Sequence, residues 1–244
     1  MTNFRLTIEY DGRRYSGWQR QGNTDNTIQG KIEQILSRMT GHAVEINGAG
    51  RTDAGVHARA QVANVKICTD KTAQEIQELL NHYLPQDIAV TACEQAPERF
   101  HARLNAKGKT YRYRIWNSPE PCVFQRRFVW ADPEWLDLEA MKAAGALLVG
   151  EHDFSAFCGN PKMKKSTVRE LTTLTVTREG EEIGLGFTGN GFLYNMVRIL
   201  TGTLVEVGRQ QRSPESVTEL FGAKRAQAGF LAPAQGLCLE EVVY

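Results

Sequence analysis

The 244 residues are 41% hydrophobic and 23% charged and carry a formal net charge of +1, enough chain for one large domain or two of about 120 residues, each with its own core. No run approaches the roughly 18 apolar residues of a membrane span, so a soluble protein with no membrane partner is expected. Near-neutral charge leaves nucleic acid open, because a basic face can be offset elsewhere.

The chain opens on a half-buried strand in which Phe4, Leu6, Ile8 and Tyr10 alternate with Arg5, Thr7 and Glu9. That start leaves no room for a leader segment, and a cytoplasmic protein is expected. Asp11-Gly12 turns the chain. Asn26 as cap and Gln29 as its capping-box partner start a helix with the apolar face Ile28, Ile32, Ile35, Leu36 and Met39, and Gly41 ends it. Short strands are predicted near 43–47 and 60–67. Thr72 and Glu75 form a second capping box, for a helix facing inward through Ile76, Leu79, Leu80 and Tyr83, and residues 88–93 supply a strand. Strand, helix, strand, strand, helix, strand is the split ferredoxin-like order.

A second pass follows the turn at 105–108: strand 109–116, helix 137–149, strands 167–178 and 182–189, and helix 191–207. Ser213-Pro214 starts a short extra helix, and residues 237–243 form the last strand. The expected fold class is therefore α/β (α+β), with two similar ferredoxin-like halves, 1–103 and 104–244. Helices would cover one face of each antiparallel sheet and leave the other faces to form a central cleft. Such a topology suits RNA binding, small-molecule enzymes and regulatory modules alike, so function has to come from the site.

Cysteines 68, 93, 122, 158 and 238 are scattered with no pair at metal-ligand spacing, which favours neither a zinc site nor a disulfide framework. The most informative stretch is 47–58, where Gly48, Gly50 and Gly55 would weaken a helix or strand and instead build a shaped loop around Asp53. Flanked by Arg51 and His57, the Asp53 carboxylate is a candidate nucleophile or base; the alternative is a carboxylate that caps backbone amides and pairs with Arg51. Neither GxxxxGK[ST] nor GxGxxG leading into a long helix is present, so no nucleotide cofactor is expected, and no metal.

Residues 104–130 carry Lys107, Lys109, Arg112, Arg114, Arg126 and Arg127 against Glu120 alone, interleaved with Tyr111, Tyr113 and Trp116. Cations plus stacking surface is how RNA readers are built, whereas two core tyrosines and a solvated strand edge are the plainer explanation. In the helix at 191–207, Arg198 lies among Phe192, Leu193, Met196, Val197, Ile199 and Leu200. A guanidinium there needs an anion such as Asp53, or else snorkels to the surface. Lys162, Lys164 and Lys165 share the composition of a synthetase KMSKS loop but not its order, and are read as an RNA-facing or solvated basic loop. His152-Asp153 is read as structural.

The segments Gly50–Ala58, Lys109–Tyr113, His152–Phe157, Phe192–Arg198 and Ala232–Leu237, in that order, resemble the TruA family of tRNA pseudouridine synthases. The resemblance covers essentially the whole chain and implies a cofactor-free isomerase converting uridine to pseudouridine at positions 38, 39 and 40 of the tRNA anticodon arm. It places the family aspartate on Asp53, the active-site tyrosine on Tyr111, the basic partner of the aspartate on Arg198, the base-displacing arginine on Arg51 and an apolar leucine near the base on Leu237. It also implies a homodimer with a basic cleft. A noncatalytic binder of structured RNA is the alternative.

Overall fold

In the computed structural model, which describes residues 1–160 and 162–244, the alternation at the amino terminus becomes β1 (Thr2–Tyr10), with Phe4, Leu6, Ile8 and Tyr10 turned into the core. A single 3-10 turn, Gly12–Arg14, follows. The first helix, α1 (Ile28–Thr40), is capped by Thr27 rather than Asn26: Thr27 Oγ1 accepts the Gly30 amide at 3.1 Å. Asn26 is diverted because its side-chain amide donates to the Arg14 carbonyl, and Gln29 is diverted to Glu33 and the Ile46 carbonyl. Glu33 tolerates burial because Oε1 accepts from Gln29 Nε2 (2.7 Å) and the Ile46 amide (3.0 Å), while Oε2 faces Arg20 (3.3 Å).

Of the predicted 43–47 strand only Asn47 pairs, together with Gly48 as β2 (Asn47–Gly48), before β3 (His57–Ile67). The capping box of α2 (Ala73–Tyr83) forms as read, with the Glu75 carboxyl held below its ordinary range by the hydrogen bonds it accepts from Thr72. Ile76 and Leu80 are its buried positions, whereas Tyr83, on the last turn, is 66% exposed and not a core residue. Then come β4 (Ile88–Gln95), β5 (Gly108–Trp116), β6 (Trp130–Ala131), α3 (Leu138–Leu147), β7 (Gly150–Asp153), β8 (Val168–Glu179) and β9 (Glu182–Gly189). The next helix, α4 (Met196–Gly208), starts five residues after the predicted 191, because Asn195 at its N-cap is left-handed (φ 62°) and sets the boundary. A 3-10 segment, Pro214–Leu220, takes the place of the short extra helix, and β10 (Leu237–Val243) closes the chain.

The chain divides into two units, Met1–Lys107 with Cys238–Tyr244, and Gly108–Leu237. The first boundary falls at 107/108 rather than 103/104, and the terminal strand returns to the first unit because Cys238 and Leu239 pair in parallel with His57 and Ala58 of β3. In this unit β4, β1 and β3 are antiparallel, with Thr2 opposite Ile67 and Phe4 opposite Gln95. The free edge of β3 is shared, with Asn47 opposite Asn64 near one end and Cys238 opposite His57 at the other. In the second unit the order is β5-β9-β8-β7, antiparallel throughout, with the short β6 parallel to β5. Its core joins Tyr113, Ile115, Leu185 and Phe187 of the sheet to Met141, Leu200 and Leu204 of the helices. The architecture is mixed α/β with sheets flanked by helices. Among the described residues no helix is long and apolar enough to cross a membrane.

Candidate active-site elements

The Asp53 loop links β2 to β3, and its shape follows from what braces it. A turn closes Asp53-Ala54-Gly55-Val56, the Val56 amide donating to the Asp53 carbonyl at 3.1 Å with Gly55 at φ 82°. A side chain at that third position would be strained, which is why glycine stands there. On the other side the segment after β1 lies against the loop. The Trp18 amide donates to the Thr52 carbonyl (3.0 Å), and the Tyr10 hydroxyl and Thr52 Oγ1 share a buried hydrogen bond of 2.8 Å. Gly17, at φ 95°, passes so close that a Cβ would stand 2.6 Å from the Thr52 carbonyl oxygen. Gln61, fully buried on β3, donates to the Gly50 carbonyl at 3.1 Å.

Within this frame Thr52 is buried, Asp53 half-buried and Arg51 exposed, with Arg51 Nε donating to Gln19 Oε1 at 3.0 Å. A carboxylate on a loop whose backbone is fixed on both flanks is pre-positioned. His57 is 4% exposed, its Nδ1 accepts the Gly12 amide at 3.2 Å, and Asp11 Oδ1 lies 3.3 Å away. Tyr10, Gly17, Trp18, Gln19 and Gln61 form the brace, and sequence reasoning named none of them as functional. The signal available was a glycine, a tryptophan and a glutamine in succession, Gly17-Trp18-Gln19, in the connection between the first strand and the first helix.

In the second unit, three of the quoted segments converge. Tyr111 and Tyr113 share the inward face of β5, as read, at 8% and 0% exposure. The Tyr111 ring meets Phe192 edge-on with centroids 5.1 Å apart. The Tyr113 hydroxyl donates to the Pro233 carbonyl at 2.7 Å, and burial raises its pKa far above the phenol range. Arg198 Nε donates to the Ala232 carbonyl (2.7 Å), its Nη1 donates to Asn195 Oδ1 (3.3 Å), and the Ala232 amide donates back to the Arg198 carbonyl (3.2 Å). The Ala232–Leu237 segment is thus the strap that ties β5 to the head of α4. It ends at Leu237, which is buried.

The cationic residues divide. Arg112 and Arg114 both reach Glu182, at 3.3 Å and 2.6 Å, and the Arg114 hydrogen bonds hold the Glu182 carboxyl below the usual carboxylate range. Lys109 is half-buried, while Lys107, Lys162, Lys164 and Lys165 are exposed. His152 stacks on Phe221 (centroids 3.9 Å apart), and Asp153 Oδ1 accepts from Thr167 Oγ1 and the Ser155 amide, the structural roles expected. Among the described residues no three His, Cys, Asp or Glu side chains form a metal-binding group. A groove of about 410 Å³ between α1 and α2, lined by Lys31, Ile35, Arg38, Leu79 and Tyr83, contains none of the predicted site residues.

In the first unit Asp53 sits on a glycine loop braced on both flanks, and in the second Tyr111 is buried and Arg198 is tied to the Ala232 carbonyl. The chain belongs to the tRNA pseudouridine synthase family, whose model matches residues 6–105 and 144–244, and it is an enzyme of the TruA type. It is 49% identical over 245 residues to the tRNA pseudouridine synthase A of Bacillus sp. strain KSM-64, with 100% of both chains covered. To the tRNA pseudouridine synthase A 2 of Bacillus cereus strain ATCC 14579 it is 48% identical, and to that of Clostridium perfringens strain 13 it is 44% identical, again with 100% of both chains covered.

Proposed function

We propose that this enzyme isomerises uridine to pseudouridine at positions 38, 39 and 40 in the tRNA anticodon arm, with Asp53 as the group that opens the glycosidic bond. The observation that carries this is the bracing of the Asp53 loop through both Thr52 and Gly50, since a carboxylate that served only to cap amides would need no such frame. The target nucleotide is flipped out of its stack, with Arg51 filling its place. Asp53 then either attacks the anomeric carbon or removes the C2′ proton, and in both routes the C1′–N1 bond breaks with its electron pair leaving on uracil. The detached uracil turns and its C5 bonds to C1′. In the ester route the new C5–C1′ bond displaces the Asp53 carboxylate, and in the glycal route C2′ recovers the proton that Asp53 took; the C5 proton then departs and N1 gains one, so that atoms and charge balance with no donor, oxidant or net water.

Tyr111 holds the uracil face and assists removal of the C5 proton, Leu237 forms the apolar floor, and Arg198 keeps Asp53 ionised and oriented. His57, facing Asp11 and Gly12, supports the loop from beneath. Lys107, Lys109, Arg112, Arg114, Lys162, Lys164 and Lys165 are the RNA-binding set, with Arg112 and Arg114 exchanging Glu182 for phosphate. The working form is a cytoplasmic homodimer, its two similar ferredoxin-like halves enclosing a basic cleft. Asp53→Asn tests the assignment: folded protein that still binds an unmodified tRNA transcript should release no C5 tritium. Product formation at the parent rate, or product mapped only outside positions 38–40, removes the assignment of the residue or of the substrate position respectively.

A further inference from the structure

Between Trp116 at the end of β5 and Trp130 in β6 the chain makes an excursion, residues 117–129, whose base is tied down and whose tip is not covered. Asn117 donates to the carbonyls of Asp132 (2.9 Å) and Glu134 (2.6 Å), and its own amide donates to the Glu181 carbonyl (2.8 Å). Trp116 Nε1 holds the Glu120 carbonyl at 2.7 Å, and Gln235 Nε2 holds that of Val129 at 3.0 Å. Higher up, the Phe128 amide donates to the Gln125 carbonyl (2.8 Å), and Arg114 bonds the Gln125 side chain. Arg126 Nη1 turns back onto the Val123 carbonyl at 2.5 Å, closing the tip into a tight bend.

That bend projects Phe124 outward at 94% exposure, with Val123 next to it at 57% and Phe128, four residues further on, at 40%. Scattered single apolar residues on a surface need no explanation, but three of them within six residues of one tethered loop point to a partner. The neighbouring charges say which kind. Arg126 and Arg127 are both exposed, and among the described residues no carboxylate lies within ion-pair distance of either. Glu182 offsets the cationic surplus of β5 where Arg112 and Arg114 reach it, whereas the tip keeps both of its charges.

We propose that the loop 117–129 is an RNA-contacting element in which Phe124 stacks on an unstacked nucleotide of the folded substrate and Arg126 and Arg127 neutralise the adjoining phosphates. A planar ring offers every base a face without reading its sequence, and flanking guanidiniums supply the salt-sensitive part of the affinity. The bonds at the base of the loop reduce the ordering cost on binding, since the loop is already shaped. The proposal rests on tRNA being the substrate.

The test compares Phe124→Ala and the double variant Arg126→Gln/Arg127→Gln with the parent, using a full-length unmodified tRNA transcript over about 50 to 200 mM salt. Phe124→Ala should weaken binding about tenfold with the parent's salt slope. The double variant should lower the slope by about 1 to 2 units. In turnover, both losses should fall on KM more than on kcat. Parent-like affinity and slope in both variants would overturn the proposal, as would an affinity loss that tracks a change in oligomeric state by sedimentation, which would assign the loop to a second copy of the chain. Failure of the parent itself to bind or isomerise tRNA would instead overturn the substrate assignment, and thermal melts that match the parent establish that the variants are folded.

Discussion

Of the two paired hydroxyls next to the Asp53 loop, removing the second should cost less than removing the first. Tyr10 is 3% exposed and Thr52 is 6% exposed, and their hydroxyls meet at 2.8 Å. Thr52→Val keeps the volume but deprives the phenol of this partner in a dry setting, and a buried polar group left short of a partner costs about 1–3 kcal/mol. For a chain of this length that is a fall in Tm of roughly 2–4 °C per kcal/mol. Tyr10→Phe strands the Thr52 oxygen in the same way. The double variant Tyr10→Phe/Thr52→Val leaves neither group stranded by the loss of the other, so it should recover about 1–2 kcal/mol relative to the sum of the single changes. Because Thr52 is bonded to Asp53 and its carbonyl is held by the Trp18 amide, each single change should also lower kcat about tenfold, equivalent to about 1.4 kcal/mol, with tRNA affinity much less affected. Urea unfolding and single-turnover kinetics on the four proteins give both cycles. Additive stability changes would refute the coupling, and a parent-like kcat in both single variants would refute the claim that this hydrogen bond positions the aspartate.

Gly17→Ala should destabilise the protein by about 1–3 kcal/mol in urea unfolding and slow isomerisation, because φ 95° and a carbonyl oxygen 2.6 Å from the new Cβ both oppose it; unaltered stability would show that the segment can move away from the loop. The hydrogen bonds and charge of Arg114 depress the Glu182 carboxyl, with Arg112 adding to them. The depressed value in the folded state means that Glu182 contributes stability above the unfolded carboxylate pKa of about 4.3 and loses it as pH falls through the folded value. Glu182→Gln should therefore flatten the acid limb of the stability curve and leave its shape above about pH 6 alone, and an acid limb like the parent's would remove the Arg114–Glu182 linkage. All five cysteines are free, with Cys68 exposed, while burial pushes the Cys93 thiol up to about 11 and the Cys238 thiol up to about 12. Alkylation near pH 8 followed by peptide mass mapping should label Cys68 well before Cys93 or Cys238, and comparable rates at all three would contradict the burial.

Where structure depends on neighbours along the chain, the sequence alone was sufficient. The alternation of β1, the Thr72–Glu75 capping box, the stop at Gly41 and the common face of Tyr111 and Tyr113 are decided by periods of two or 3.6 residues and by short-range hydrogen bonds, and they occur where the residues place them. For a related reason the sequence located the Asp53 loop, since three glycines in eight residues would weaken a helix or a strand, but the residues alone left Asp53 between chemistry and a capping role.

Distant partners decided the rest. Both Asn26 and Thr27 can cap α1, and the Arg14 carbonyl, by engaging Asn26, settled it. Glu33 is buried, and the Ile46 amide and Arg20 that satisfy it both come from outside its helix. Arg112 and Arg114 look like unpaired cations in sequence, yet Glu182, on the neighbouring strand, reaches both. The terminal strand belongs to the first unit because β3 has an open edge beside His57, a vacancy that only tertiary pairing creates. Local periodicity specifies which face of an element is apolar, but not which hydrogen-bonding group or charge will be opposite it; that assignment exists only once segments far apart in the chain have been brought together.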